Sequence, residues 1–297
     1  MVLVPCLVLG LSLVSPQPAD AARGGRMGGG SFRAPSMPRS TPRSTGGYRG
    51  GYGGYRGGGF GFPFIIPIFG FGGGGLFGLL ILMAVAGVLV NALRGAGSAP
   101  TLGGDAAAPA VPSKVNLIQV QVGLLAGAKA LQDDLRSLAQ TSDTSSSAGL
   151  QRVLQESTLA LLRQPDLWVY ANAEVGSVPF STAESTFNRL SMTERSKLDA
   201  ELTSNVSGQT LSGNAGAVGE ADATNEFIVV TLLVASTAAA VLKGASTGED
   251  LRQTLRILGS TSSSDLMALE VIWQPEGRGD VLSAEELITA YPNLQHL

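Results

Sequence analysis

Residues 76–93 read LFGLLILMAVAGVLVNAL, and this apolar stretch divides the chain into two parts of different chemistry. There is no ionisable side chain between Arg56 and Arg94. At about 1.5 Å of rise per residue, a helix of this length covers roughly 27 Å, which is close to the thickness of a hydrocarbon core. Buried core helices are usually shorter and rarely apolar on every side. The sequence therefore predicts a transmembrane helix over residues 76–94.

Charge is distributed unevenly on the two sides of this stretch. Residues 1–94 carry eight Arg and one Asp, whereas residues 95–297 carry twelve Lys or Arg and twenty-two Asp or Glu. This asymmetry indicates a basic tail joined to an independent acidic domain. The distal part is long enough to bury a core of its own.

The chain begins with a segment typical of a secretory signal. Within residues 1–21, an apolar run from Val2 to Val14 is followed by a polar segment that ends in Ala19-Asp20-Ala21. Small residues at these positions predict cleavage after Ala21, although no basic side chain precedes the apolar run. An uncleaved membrane anchor is the alternative, but the run is short for a span.

Residues 22–75 are of low complexity, with glycine repeats interrupted by arginine and tyrosine. Such a segment buries too little apolar surface to offset its chain entropy, so we expect it to be disordered. RGG runs at Arg23, Arg49 and Arg56 are also typical of RNA-binding tails, in which guanidinium and aromatic groups stack on bases. A signal peptide would export this tail to a compartment with little RNA, which favours a spacer over nucleic-acid binding.

Two short segments flank the predicted span. Residues 60–71 read FGFPFIIPIFGF, and their aromatic side chains predict an interfacial segment at the level of the lipid headgroups. Residues 95–113 are rich in Gly, Ala and Pro and form the predicted linker to the folded domain. Gly74 and Gly78 match a GxxxG helix-contact motif, but glycine is so frequent here that chance explains the match equally well.

Residues 114–297 carry the alternating and helical patterns of an α+β domain with about four strands and five helices. The order β-α-α-β-α-β-α-β-α favours a four-stranded α+β sandwich, with parallel pairing left open. Phe227–Ala235 (FIVVTLLVA) is apolar on both faces and is the candidate central strand. The predicted strands cover 115–122, 167–175, 227–235 and 265–273. The predicted helices cover about 124–138, 148–163, 181–202, 249–258 and 284–291.

Local signals mark the ends of these elements. Ser181 with Glu184, and Ser283 with Glu286, match the capping box that opens a helix. On the first strand, Gln119 and Gln121 alternate with apolar residues, which is expected of a half-buried strand. Residues 205–224 are rich in Gly, Ser and Asn, so we expect a mobile loop there.

Few residues suit catalysis or metal binding. The chain has one cysteine, Cys6, and one histidine, His296, which exclude a disulfide framework and most metal or general-base arrangements within the chain. It has neither a phosphate-binding GxxxxGK[ST] loop nor a nucleophile elbow. We therefore expect no catalytic residues, no cofactor and no metal ligands, and predict that the protein is not an enzyme.

Adjacent carboxylates are the remaining candidates for acid–base chemistry. The side chains of adjacent residues on a helix point about 100° apart, so the two carboxylates of a pair do not face one substrate. Two of the pairs also lie at helix starts, which favours surface or capping roles. Arg278-Gly279-Asp280 matches an adhesion tripeptide, but its position before a helix cap favours a turn. The carboxylate pairs are Asp133-Asp134, Glu249-Asp250 and Glu285-Glu286.

Several longer motifs carry a resemblance to a known family. They are GGRMGGGSFRAPSMPR (24–39), LQESTLALLRQPDLWVYANAE (154–174), FNRLSMTERSKLDAEL (187–202), FIVVTLLVA (227–235) and LEVIWQPEGRGDVLSAEELITAYPNL (269–294). The chain resembles uncharacterised membrane proteins of cyanobacteria and chloroplasts, which carry a domain of unknown function after one transmembrane helix. The resemblance implies a link with chloroplast membranes and with acclimation to changing light, and it supplies no catalytic residues. The layout is also similar to bacterial relatives of the subunit that tethers the mitochondrial import motor.

These observations predict a single-pass protein in the plasma or thylakoid membrane of a cyanobacterium, whose soluble domain binds a protein partner. Arg94 adjoins one end of the predicted span, whereas Arg56 lies about 20 residues from the other end, at the largest distance at which a charge still affects membrane orientation. We therefore expect the acidic domain in the cytoplasm and the Gly/Arg segment in the periplasm or thylakoid lumen. The alternatives are an RNA-associated protein that uses its RGG tail, a membrane-tethered translocation or assembly factor, and a hydrolase or transferase with an atypical site.

Overall fold

A computed structural model describes residues 22–32, 75–95, 112–213, 226–239, 242, 244–277 and 280–297, with the backbone alone described for residues 88 and 91–95. The predicted signal peptide (1–21), the interfacial segment (60–71) and most of the predicted linker lie outside these residues.

Helices pack around one mixed sheet, which confirms the predicted α+β class. The described residues form nine strands, six α-helices and one short 3-10 helix, Pro165–Leu167. The strands are β1 (Gly24–Gly30), β2 (Lys114–Leu125), β3 (Trp168–Pro179), β4 (Glu201–Val206), β5 (Gln209–Ser212), β6 (Glu226–Ser236), β7 (Leu266–Gln274), β8 (Leu282–Ser283) and β9 (Gln295–His296). The helices are α1 (Gly75–Gly95), α2 (Lys129–Thr141), α3 (Ser147–Leu162), α4 (Phe180–Arg195), α5 (Gly248–Gly259) and α6 (Ala284–Ala290).

The strand order is β5-β4-β1-β7-β6-β2-β3-β9, and β8 pairs with β6. The predicted strands are β2, β3, β6 and β7, and they lie side by side with antiparallel pairing. The β6 strand lies between β2 and β7 with Phe227–Ser236 buried, which confirms it as a central strand. The four-stranded sandwich is wrong, because five further strands extend the same sheet and only β1 and β4 pair in parallel.

Helices cover both faces of this sheet because its strands alternate between two apolar cores. In the first core, Val120 and Val230 face α2, α3 and α5. In the second core, on the other face of the sheet, Leu117 and Leu233 face α4 and α1. A smaller cluster lies beneath α6, around Phe227 and Leu282. Each large side chain buried in these cores contributes about 1.5–3 kcal/mol of transfer free energy.

The disorder expected within residues 22–75 is wrong for Gly24–Gly30, which form β1 between β4 and β7. Backbone hydrogen bonding to two strands replaces the apolar side chains that the segment lacks. Its Met27 is fully buried in the first core. The folded domain therefore includes β1 as well as the described residues from Lys114 onward, while residues 33–74 lie outside the described part of the chain.

A second difference follows α4, which ends at Arg195 and not near Leu202. Residues 201–212 instead form the β4–β5 hairpin, so the loop predicted from Asn205 onward is wrong up to Ser212. Residues 214–224 lie outside the described part. The hairpin was missed because its Ser, Thr and Asn side chains give no apolar alternation.

The predicted capping signals have different outcomes. Ser283 and Glu286 form the expected capping box at α6, since each side chain accepts a bond from the other's backbone N–H. The Ser181–Glu184 box is wrong, because α4 begins at Phe180, directly after β3, without a side-chain cap.

The α1 helix covers the predicted helical stretch and lies against the domain. Phe77 and Ala84 are buried in the second core, and a side chain at Gly176 of β3 would collide with Ile81. Judged on the described residues alone, no helix is long and apolar enough to cross a membrane. The predicted span is therefore not confirmed.

Candidate functional site

Polar side chains collect on the sheet face that α4 covers. Gln119 and Gln121 of β2 point to this face. The alternating pattern predicted that this side of the strand faces solvent, but both glutamines are buried. Thr231 of β6 is buried beside them. This face therefore combines an apolar core near α1 with a buried polar cluster near the end of α4.

Glu194, in the last turn of α4, is the centre of this cluster. Gln119 Nε2 donates to Glu194 Oε1 and Gln121 Nε2 donates to Glu194 Oε2, each over 2.9 Å. Lys197 Nζ donates to both carboxylate oxygens, over 2.7 and 2.8 Å. Thr231 Oγ1 adds a longer bond of 3.3 Å to Oε2. The buried charge of Glu194 is therefore paired and hydrogen-bonded at both oxygens.

Tyr291 closes the cluster from the C-terminal end of α6. The Lys197 ammonium lies 4.2 Å from the centre of the Tyr291 ring, a cation–π contact. Burial, followed by the Glu194 charge, raises the pKa of Tyr291 well above its usual value, so its phenol stays neutral. Burial lowers the pKa of Lys197, whereas Glu194 acts in the opposite direction.

Glu174 of β3 lies at the half-buried edge of the same face. Burial raises the pKa of Glu174, the hydrogen bond that Asn172 Nδ2 donates over 2.9 Å lowers it, and the Glu194 charge raises it. The net effect is a raised pKa. Two carboxyl groups with different environments thus lie on one face, but Glu194 is the one held by several donors.

A second buried carboxylate, Glu276, lies just after β7. Its Oε1 accepts from Arg136 Nε over 2.9 Å and from Thr203 Oγ1 over 2.6 Å, and its Oε2 accepts from Trp273 Nε1. Gln132 Nε2 bonds the neighbouring Pro275 carbonyl over 2.7 Å. These bonds tie α2 and β4 to the end of β7.

A third buried carboxylate fixes β1. Arg26 Nε donates to Glu270 Oε1 over 3.0 Å, and the Arg26 guanidinium lies 3.6 Å from Glu201 of β4. Since Arg26 is held by two carboxylates, it is not presented to solvent as a base-stacking arginine. Arg49 and Arg56, from the other RGG runs, lie outside the described residues.

The outer surface of α1 is apolar. Leu76, Leu82 and Leu89 are 56%, 65% and 62% exposed, and Leu79, Met83, Val85 and Val90 are also exposed. The α1 helix therefore presents one side to the second core and an apolar stripe to the surroundings. Exposed stripes of this kind typically mark a contact with a membrane or a protein.

A groove of about 770 Å³ lies between α2 and α3, on the sheet face opposite α1. Its lining includes Asp134 and Ser137 from α2, and Arg152 and Glu156 from α3. At one end, hydrogen bonds from Ser145 and Ser146 lower the pKa of Asp143 to about 2. The groove thus carries fixed charges of both signs.

The adjacent carboxylates of the sequence lie on helix surfaces or caps, as predicted. Asp133 pairs with Arg136 and Asp134 with Arg163, over 2.7 and 3.3 Å. Glu249 pairs with Arg252, while Thr247 Oγ1 bonds Asp250 at the start of α5. Asp280 donates its backbone N–H to the Gly277 carbonyl, consistent with the expected turn. The Arg278 and Gly279 of that turn lie outside the described part.

Sequence reasoning missed Glu194, Glu270 and Glu276, because the Gln and Arg side chains that bind them lie at least 73 residues away in the chain. The only hint of the Glu194 cluster in the sequence is the pair of glutamines on β2. Two amides on one face of a buried strand require a hydrogen-bond acceptor, and Glu194 is that acceptor. Within the described ranges, no group of three or more His, Cys, Asp or Glu side chains is arranged to hold a metal ion. His296 instead lies edge-on to the Tyr170 ring, with 5.5 Å between ring centres.

Comparison with known proteins gives a consistent picture. The family described as "Protein of unknown function (DUF1517)" matches residues 114–297. "Protein FLAP1 homolog A" of Synechocystis is 45% identical, with 93% of this chain and 86% of that protein covered. The "FLUCTUATING-LIGHT-ACCLIMATION protein 1, chloroplastic" of Arabidopsis thaliana is 36% identical, with 99% and 78% covered. No solved structure matches the chain significantly.

Proposed function

This chain belongs to the DUF1517 family, and we propose that it acts in acclimation to fluctuating light as a membrane-associated, non-enzymatic protein that binds a protein partner. The Synechocystis and Arabidopsis relatives support this proposal because they align with 93% and 99% of the chain. The name of the Arabidopsis relative refers to fluctuating-light acclimation and to the chloroplast. The corresponding place for this protein is a thylakoid or plasma membrane. The β1 strand and the acidic domain lie on the same side of that membrane, because they belong to one sheet, and the expected separation of the Gly/Arg segment from the domain is wrong for β1.

The two-sided packing of α1 is the observation that carries the proposal. Phe77, Ala84 and Ile81 attach one side of α1 to the folded domain. The opposite side exposes a stripe that includes Leu82 and Leu89. A helix of this kind can bury its outer side chains in a membrane while the domain stays directly at the surface.

The energy available from this stripe is sufficient for membrane binding. A large apolar side chain contributes about 1.5–3 kcal/mol when it is fully removed from water. Leu76, Leu82 and Leu89 alone are each more than half exposed. Their transfer, together with the smaller contributions of Leu79 and Val90, gives a binding free energy comparable with that of a single acyl chain, which binds membranes reversibly.

The buried carboxylates support an interaction role over catalysis. Glu194 is held by two glutamines and a lysine, and Glu276 by arginine, threonine and tryptophan. Donors that already surround a carboxylate stabilise its charge and occupy the lone pairs that a general base would use. These clusters therefore suit a rigid scaffold whose function lies on its surface.

The groove between α2 and α3 is the proposed partner surface. It lies on the sheet face opposite α1, so it points away from a membrane that contacts α1. Its lining contains Arg152 as well as Asp134 and Glu156, and these charges of both signs favour a polar protein segment of complementary charge.

Flotation of the full-length protein with phosphatidylcholine vesicles tests membrane association. The parent should float with the vesicles, and the double variant Leu82→Glu/Leu89→Glu should stay in the soluble fraction. Met192→Glu is the matched control, because Met192 is 68% exposed on α4 and lies outside the stripe. Equal flotation of the parent and the α1 double variant would contradict the role of the stripe.

A photo-crosslinking residue tests the partner surface in native membranes. Placed at Ser137, in the groove, it should give one discrete adduct. Placed at Gln253, an exposed position on α5, it should give none. Equal adducts from the two positions would exclude the groove as the specific surface.

A further inference from the structure

One strand, β1, connects the β4–β5 hairpin to the rest of the sheet. Among the described strands, β4 pairs with β5 on one side and with β1 on the other, and β1 then pairs with β7. Without β1, both β4 and β7 would present unpaired backbone groups to the same slot. The segment Gly24–Gly30 therefore occupies a slot between two strand edges, which we call the β1 slot.

Contacts that do not involve β1 hold both walls of the β1 slot. Asn205 Nδ2 of β4 donates to the carbonyls of Ala139 and Ser142, each over 2.8 Å. Thr203 Oγ1 of β4 donates to Glu276, which follows β7, over 2.6 Å. These bonds fix β4 relative to α2 and β7, so the β1 slot has a preformed width.

At most positions of the β1 slot, only glycine fits. A Cβ at Gly25 would come within 2.0 Å of the Trp273 indole. A Cβ at Gly28 would lie 2.1 Å from the Leu269 carbonyl oxygen, and one at Gly30 would lie 2.3 Å from that of Met267. Backbone carbonyls of a central strand cannot move aside, so the slot excludes other side chains at these positions.

Two positions accept a specific side chain. Met27 is fully buried in the first core, which favours an apolar group and excludes an unpaired charge. Arg26 points to the other face, where Glu270 and Glu201 bind its guanidinium. The slot therefore selects the pattern Gly-Gly-Arg-Met-Gly-Gly-Gly.

We propose that the β1 slot is a peptide-binding site for this pattern and that the β1 segment of a second copy of the chain can fill it. Residues 33–74, which follow Phe32 and precede α1, are 42 in number. They can span at most about 140 Å when extended, so the β1 segment of a neighbouring copy is within reach. Exchange of this kind produces a strand-swapped dimer with the same contacts as the single chain.

A second glycine-rich segment of the chain, residues 53–59, provides a control for the selectivity of the β1 slot. Residues 53–59 read GGYRGGG and match the glycine positions of the β1 segment, but Arg56 takes the place of Met27. An arginine there would enter the apolar core without a partner, and Tyr55 would face Glu270 and Glu201 in place of a cation. The slot should therefore reject residues 53–59.

Peptide exchange on the cleaved full-length protein tests the proposal. A protease site is inserted after residue 40, the detergent-solubilised protein is cut, and a fluorescent peptide of residues 22–32 is added. Anisotropy should show saturable binding of this peptide. The matched peptide of residues 51–61 should bind roughly a hundredfold more weakly, since its arginine enters the core. Absence of exchange, or equal binding of the two peptides, would overturn the proposal.

Charge exchange between two copies tests strand swapping directly. One copy carries Arg26→Glu and the other carries Glu270→Arg, so each has a repulsive pair within its own chain. Reciprocal exchange restores an attractive pair in both slots. The mixture should therefore form a 1:1 dimer that light scattering and two affinity tags detect.

The double variant Arg26→Glu/Glu270→Arg is the control, because it restores the pair within one chain and should not require a partner. A mixture that gives no more dimer than this double variant would exclude swapping. If the two single variants fail to fold, the peptide measurement on the parent decides the proposal alone.

Discussion

Arg26 Nε donates to Glu270 Oε1 over 3.0 Å across a separation of 244 residues. This bond joins the glycine-rich N-terminal part of the chain to the last long strand of the sheet. The segment that carries Arg26 is consequently an interior strand of the sheet, paired on both sides, and not a free tail. Both side chains are largely buried, with 13% and 6% of their surface exposed.

Substitution of Arg26 by alanine should strongly destabilise the fold. It leaves Glu270 buried without its cation, and loss of one partner of a buried pair typically costs about 3–5 kcal/mol. Urea denaturation followed by tryptophan fluorescence measures the change, because Trp273 lies beside β1. Arg163→Ala, in an exposed pair with Asp134, should cost less than about 1 kcal/mol. Similar losses for the two variants would contradict the buried role of Arg26.

A methyl group at Gly25 should also destabilise the domain. The added carbon would lie 2.0 Å from the buried Trp273 indole, so the strand or the ring must shift. Overpacking of this kind costs about 1–3 kcal/mol. Gly248→Ala is the control, since nothing lies within 4 Å of a Cβ at that position. Thermal melts should separate the two variants, and equal melting temperatures would argue against close packing of β1.

Loss of Lys197 should reveal the buried charge of Glu194. Lys197→Met removes the cation that binds both Glu194 oxygens, and we expect a loss of roughly 3 kcal/mol. The double variant Lys197→Met/Glu194→Gln removes both charges and keeps a hydrogen-bonding amide, so it should recover most of the stability. If the double variant is as unstable as the single one, the charge of Glu194 is not the cause.

Ionisation of Glu174 should lower the stability of the domain as the pH rises. The pKa of Glu174 is raised above its ordinary 4.5 in the folded protein, so the folded state holds this proton more tightly than the unfolded chain. Stability is then lost as the pH rises from this ordinary value through the raised pKa. Glu174→Gln should therefore be more stable than the parent at pH 7.

The advantage of this variant should disappear at a pH below 4.5, where the parent carboxyl is protonated in both states. Urea midpoints across this range give the measurement. A parent that is more stable than Glu174→Gln at pH 7 would show that the carboxylate is favoured in the fold.

Local patterns predicted two of the helices and the two most apolar strands closely. The α3 and α5 helices, and the β6 and β7 strands, lie within one or two residues of the expected ranges. The helix signals come from apolar residues three or four apart, and the β6 signal is an unbroken apolar run, both of which a single sequence displays directly. The capping box at Ser283 has the same local origin.

The β1 strand and the polar cluster could not be predicted in this way. Gly24–Gly30 has no alternation of side chains, and its fit depends on Trp273 and the Leu269 carbonyl. Gln119 is buried because Glu194, 75 residues away, covers it. Contacts between residues so far apart in sequence depend on the tertiary fold, so local sequence patterns do not predict them.

The most direct test of the proposed function is growth under alternating light. A Synechocystis strain that lacks homolog A is complemented with this protein, with Leu82→Glu/Leu89→Glu, or with Met192→Glu. Under fluctuating light, the parent and Met192→Glu should restore growth to the same level, and the α1 double variant should not. Under constant light all strains should grow alike. Full restoration by the α1 double variant, or none by the parent, would contradict a membrane-held role in light acclimation.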